Sequence, residues 1–224
     1  MTTFRNIDFR FVDSKSELTY APELVRNGFV DLTAITKKIR SPPTHLICGP
    51  KGSGKTALAS HMILSSQDKW SEFVQADDLE NFDFGLVSKL GGTGSQTIGG
   101  GVAAWQLLLL LRSYAQISQD TKLMDDNGRF ASFIETLRSN GLLEGPELTQ
   151  MVQATSRRGL HGKLEAAAGA LSLRSAEDTL RHAKDPAAMS SALEKALDEI
   201  DVNSDNSYLL FLDGLDYPMR LNRS

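Results

Sequence analysis

Cysteine is nearly absent: Cys48 stands alone in 224 residues, which excludes an intramolecular disulfide and fits a reducing compartment. A basic excess is missing as well. The 24 lysines and arginines are outnumbered by 28 acidic residues, for a formal charge of −4. Nucleic acid is held mainly through surplus positive charge, so the composition makes no case for it as a partner. The basic pairs Lys37–Lys38 and Arg157–Arg158 read as solvated surface. Long apolar runs are lacking too: the longest, Val102 to Leu111, is broken by Gln106 and falls well short of the roughly 20 residues that span a membrane. The N-terminal MTTFRNIDFRF has charges at short intervals and no uninterrupted apolar stretch, so it is a poor signal peptide. These absences give the expectation of a cytoplasmic protein without a membrane partner.

What is present suffices for a core, since 41% of the residues are apolar. Residues 1–20 set Phe4, Ile7, Phe9, Phe11 and Val12 among charges at nearly alternating positions, the pattern of a half-buried strand or packed arm. Leu24, Val25, Phe29, Leu32, Ile35 and Ile39 are spaced for helices, which Pro42 and Pro43 close. Next, His45–Cys48 reads as a short strand running into a glycine-rich turn and then a helix with Leu58, Met62 and Ile63. EFVQAD, residues 72–77, reads as a second strand. GGTGSQTIGGG, residues 91–101, has six glycines in eleven positions and reads as a hinge rather than a helix or strand interior. Beyond it, helices are expected at 102–117, 129–139 with Asn140-Gly141 as C-cap, 146–157, 160–173 and 186–200. In the last, Asp185 is placed to cap, Pro186 sits in the first turn, and Met189, Leu193, Leu197 and Ile200 form the apolar stripe. No convincing strand lies between 102 and 200, so this part reads as a helical insertion.

The octet GPKGSGKT, Gly49 to Thr56, fits the phosphate-loop pattern G-x-x-x-x-G-K-[ST]. Gly49, Gly52 and Gly54 allow backbone angles and close approaches that a Cβ would obstruct. Successive N–H groups of Gly49, Pro50-Lys51, Gly52, Ser53 and Gly54 can then cradle phosphate oxygens, proline contributing none of its own, and the helix start adds its positive dipole end. Lys55 reaches the β- and γ-phosphates as a mobile point charge, and the Thr56 hydroxyl can hold Mg²⁺. Such a loop needs an acidic residue at the end of a neighbouring strand. Tyr208–Asp213, YLLFLD, has the form of a strand buried on both faces that delivers one carboxylate, which makes Asp213 the magnesium candidate. Asp216, after the tight exit at Gly214, is placed to orient or deprotonate the attacking water, with a turn residue or helix cap ahead of Pro218 as the plain alternative. Asp77 and Asp78 compete for the metal role, but EFVQAD is shorter and less uniformly apolar than YLLFLD. A GTPase N-K-x-D motif and a transporter L-S-G-G-Q signature are both missing.

The pairing of GPKGSGKT with LLFLDGLDY, together with the lead-in NGFVDLTAITKKI at 27–39, resembles the KAP and STAND-type P-loop ATPases, relatives of the AAA+ class. That resemblance implies ATP with Mg²⁺, a three-layer αβα core around a parallel sheet, and ATP-driven assembly or switching of the kind used in bacterial signalling or phage defence. Asp213 carries over as the Mg²⁺ residue and Asp216 as the candidate catalytic acid; Lys55, from the loop itself, is the other catalytic candidate. Those families continue past the acidic strand into a sensor strand, an arginine finger and a helical lid. The expectation is therefore an N-terminal fragment, with an arm and first half-core at 1–90, a hinge at 91–101, the helical insertion at 102–206 and the acidic strand at 207–224. An ATPase switch with a protein partner or self-assembly is the expected function. An ATP-binding scaffold without efficient turnover is the alternative.

Overall fold

The computed structural model describes residues 14–41, 46–50, 52–80, 82–85, 87, 98–143, 145, 148, 150, 151, 186–198 and 206–215. Among the described residues, eight helices and two strands can be given bounds, in order: α1 (Ser14–Tyr20), α2 (Pro22–Gly28), α3 (Ile35–Ile39), α4 (Lys55–Ser66), β1 (Glu72–Asp78), α5 (Ile98–Ile117), α6 (Thr121–Asp126), α7 (Gly128–Ser139), α8 (Pro186–Asp198) and β2 (Ser207–Asp213). The described residues are mostly helical, and β1 and β2 pair as a two-stranded parallel sheet. The chain divides into two compact units, Met1–Ala76 and Asp77–Ser224. None of the described helices is long and apolar enough to cross a membrane.

In the first unit α1, α2 and α4 pack on one another. Pro22 pre-sets the opening turn of α2, where its missing N–H costs nothing, and Glu23 and Arg26 lie at the helix ends that suit their charges. Helix α4 turns Leu58, Ala59, Met62 and Leu64 inward. Asp31 ties down the start of α3 by accepting the Ile35 N–H at 2.7 Å, the Thr36 N–H at 3.1 Å and the Thr36 hydroxyl. The Thr36 hydroxyl does most to hold the Asp31 carboxyl below its ordinary pKa, against the opposing effect of burial. At the start of β1, Glu72 receives Arg40 through Nε at 2.9 Å and Nη2 at 3.0 Å, and Lys69 Nζ at 2.9 Å. Burial pushes the Glu72 carboxyl up, but these two cations outweigh it and the net shift is downward.

Two expectations fail in this unit. Ser14–Tyr20 is helical rather than a strand, while residues 1–13, which carry the alternating pattern, lie outside the described residues. Leu46–Cys48 forms no strand, and Leu46 is 75% exposed; His45 is outside the described residues. A strand exists only through its partner. Among the described residues, β1 and β2 are paired with each other and nothing extends a ladder to Leu46–Cys48.

The second unit is built round α5, which lies against α8. Leu107, Leu111 and Tyr114 of α5 join Phe130, Phe133, Ile134 and Leu137 of α7 and Met189, Ala192, Leu193 and Ala196 of α8 in one buried cluster. The Tyr114 hydroxyl donates to the Leu193 carbonyl at 2.8 Å, and burial holds its pKa far above the ordinary tyrosine value. Helix α7 ends as the Asn140-Gly141 pair requires. Gly141 takes φ +66°, its N–H donates to the Arg138 carbonyl at 2.8 Å, and the Leu142 N–H donates back to Leu137 at 2.9 Å. Both leucines are buried in the same cluster, so the cap is also an apolar contact. Helix α8 opens at Pro186 and buries Met189 and Leu193 as expected, with Leu197 packed at the edge.

The glycine-rich 91–101 stretch is helical in its last four residues, because α5 begins at Ile98. The burial of Leu107, Leu108 and Leu111 further along the helix offsets the backbone entropy that its opening glycines cost. Strand β2 is half-buried along its whole length, not buried on both faces, as befits a strand with one neighbour. The expected helices at 146–157 and 160–173 fall outside the described residues apart from Leu148, Gln150 and Met151, as do Asp185, Ile200 and residues 91–97. No strand occurs among the described residues between 102 and 200.

Candidate functional site

The phosphate-loop octet lies in the first unit. The Ser53 N–H donates to the Pro50 carbonyl at 3.2 Å and closes a turn, with Gly52 at φ +82° and Gly54 at φ +84°. Both angles belong to the left-handed region, which an L side chain enters only at a cost. Gly54 is the N-cap of the twelve-residue α4, and its carbonyl accepts the first helical bond, from the Leu58 N–H at 2.8 Å. A helix start of this length presents N–H groups without intrahelical acceptors and a positive dipole end, and α4 carries no acidic residue in its first turn to offset that field. Lys55 Nζ lies over the loop and donates to the carbonyls of Gly49 at 2.9 Å and Pro50 at 3.2 Å. The lysine is thus folded onto the loop by contacts that phosphate oxygens can replace. Thr56 follows it, half-buried, on the first turn. A Cβ at Gly49 would stand 2.5 Å from Ser53 Oγ and 3.2 Å from its Cβ, so a side chain there would force Ser53 to shift. Lys51 lies outside the described residues.

The acidic strand end lies in the second unit. The Asp213 carbonyl accepts the Leu79 N–H at 2.8 Å, and its Oδ1 accepts the Gly214 N–H at 2.9 Å. Gly214 adopts φ +83°, and a Cβ on it would meet the Glu80 nitrogen at 2.8 Å. The turn after β2 therefore rests backbone to backbone on the turn after β1. Asp216 lies outside the described residues.

Asp77, the competing carboxylate, is 1% exposed and engaged. Arg112 of α5 grips it at both oxygens, Nε to Oδ2 at 2.7 Å and Nη2 to Oδ1 at 3.0 Å, and the Leu148 N–H adds a bond at 3.3 Å. A carboxylate neutralised by a buried guanidinium has little left for a metal ion. Asp78 is exposed and accepts the Glu80 N–H at 2.9 Å, as a turn residue does.

Among the described residues no group of three or more His, Cys, Asp or Glu side chains could hold a metal ion. Magnesium in a nucleotide site needs less than that, because phosphate oxygens and water fill most of its six positions and one or two protein oxygens complete them.

Two polar residues that hold the second unit together were not singled out by sequence pattern. Asp120 is 3% exposed; it accepts the Leu123 N–H at 3.0 Å to cap α6, the Tyr208 hydroxyl at 2.7 Å and the Asn206 amide. Burial pushes its carboxyl up, and these donors together bring it below the usual carboxylate range. The signal was present, since an aspartate ahead of Thr121-Lys122-Leu123 is a helix-cap pattern. Arg112, the other, follows five consecutive leucines in a helix, where a charge implies a buried partner.

Compared with known proteins, the chain matches no family model, no curated protein and no solved structure.

Proposed function

We propose that the chain is a magnesium-dependent ATP-binding module of the P-loop ATPase kind, in which the bound nucleotide acts as a switch for a partner or for self-assembly. The observation that carries this reading is the loop Gly49–Thr56, with Gly52 and Gly54 at positive φ, a twelve-residue helix opening at Lys55, and the Lys55 ammonium drawn over the loop. Loop amides and Lys55 would bind and orient the phosphates, with Thr56 and Asp213 as the proposed magnesium ligands. Asp216 is the proposed residue for orienting the attacking water. The ion, when bound, would neutralise charge on the transferring phosphate. A three-layer αβα core around a longer parallel sheet belongs to the same proposal, and the parallel β1–β2 pair is compatible with it.

Mg-ATP at a hundredfold excess over its dissociation constant should stabilise the fold by about 2.7 kcal/mol, a melting shift of about 5–11 °C at this size. The shift should vanish in Lys55→Ala. Cys48, exposed and next to Gly49, supplies a local readout on the same sample: its alkylation should slow with Mg-ATP and not with Mg²⁺ alone. An unshifted melt at saturating Mg-ATP overturns the reading. Asp216→Asn should keep the shift and lose turnover, and a variant that hydrolyses as fast as the parent removes that role from Asp216.

A further inference from the structure

Trp70 is 98% exposed in the turn between α4 and β1, an unusual position for the largest apolar side chain. The turn beneath it is tied down on both sides. Asp68 binds Arg26 of α2 at 3.1 Å, the Lys69 N–H donates to the Ser66 carbonyl at 2.9 Å, and Lys69 Nζ meets Glu72 at 2.9 Å. Glu72 is held in turn by Arg40. An aromatic side chain presented from a fixed base loses little freedom on docking, and such anchors supply much of the energy of protein interfaces. Glu72 is 14% exposed, so the charges that meet water round the indole are Arg26, Arg40 and Lys69 with one acid, Asp68.

The second unit carries a patch of the opposite sign. Leu215 is 45% exposed and follows Gly214, which rests on the Glu80 backbone. Asp78 and Glu80 in this pair of turns are exposed, as is Asp83, and no lysine or arginine occurs from residue 77 to residue 88. The asymmetry extends over the chain: residues 1–76 carry 10 lysines and arginines against 7 acidic residues, and residues 77–224 carry 14 against 21. Opposite charge round two exposed apolar side chains gives attraction and fixes how they meet. We infer that the chain self-associates head to tail, the Trp70 turn of one copy docking on Leu215 of a second copy between Asp78 and Glu80. In such a heterologous contact each copy keeps one surface open for the next. The inference names a surface for self-assembly and needs no bound nucleotide, so its test contains none.

Sedimentation velocity of the full chain, in reductant to keep Cys48 from cross-linking, should show mass rising with concentration at low salt and falling back at about 0.5 M salt, where exposed charges are screened. Trp70→Ala and Glu80→Lys should each weaken self-association about tenfold or more. Both positions are exposed, so neither substitution touches the core. The decisive sample mixes the two variants. Trp70→Ala keeps the acidic patch and Glu80→Lys keeps the anchor, so the mixture should form one-to-one pairs that stop at the dimer. A parent chain that stays monomeric at every concentration overturns the inference and leaves the nucleotide reading to its own melting test. Association that survives in Trp70→Ala, or a mixture no heavier than either variant alone, overturns it as well.

Discussion

At the scale of single residues, the Asp77–Arg112 pair is the most consequential contact to disturb. Both side chains are nearly inaccessible, 1% and 5% exposed, so removing one strands a charge where water cannot reach it. Asp77→Ala or Arg112→Ala should each cost about 3–5 kcal/mol, whereas Asp77→Leu with Arg112→Met should lie much nearer the parent. Urea midpoints of the four proteins decide this, and a Leu/Met double variant that loses as much as the two alanine variants together would remove the pair from the account. The pair also marks a limit of sequence reading. The turn and helix start at Gly49–Thr56 and the strand end at Asp213 were legible as local structure because their pattern is written in adjacent positions. The loss of Asp77 from the metal candidates was not, because its partner stands 35 positions away and only folding brings them together.

At the scale of elements, what the sequence reveals depends on how local the cause is. Helices α5, α7 and α8 were legible within a few residues, since each carries its apolar stripe and, for α7, its own stop. Gly141→Ala tests that stop. The site requires φ +66°, so the substitution should cost about 1–2 kcal/mol. Gly128→Ala, at the first position of the same helix with open space round its Cα, should be neutral or slightly stabilising. Thermal melts of the two variants should therefore move in different directions or by clearly different amounts; equal losses would show that the cap is not what ends α7. Strands were less legible. EFVQAD and YLLFLD were found, but Leu46–Cys48 has the same apolar look and no ladder, because pairing is a property of two segments and pattern is a property of one. Helix α6 escaped notice since six residues carry too little periodicity, and its cap at Asp120 was the remaining clue.

At the scale of the whole molecule, exposed apolar surface is unevenly shared. Of the eight large apolar side chains exposed among the described residues, Tyr20, Leu24, Val30, Leu32, Leu46 and Trp70 belong to the first unit, and Val102 and Leu215 to the second. Lone exposed apolar residues are ordinary, but this many in one small unit attract hydrophobic ligands and neighbours. Val30→Lys with Leu32→Lys should lower the binding of a hydrophobic dye and any concentration-dependent association, while stability changes by no more than about 0.5 kcal/mol per site. Unchanged dye binding would place the sticky surface elsewhere. The unladdered segment Leu46–Cys48 has a practical bearing of its own. It sets an exposed thiol beside an exposed leucine, so in air two chains that meet there can become covalently joined. Shelf life without reductant then depends on one sulfur atom, at the mouth of the loop on which any nucleotide assay relies.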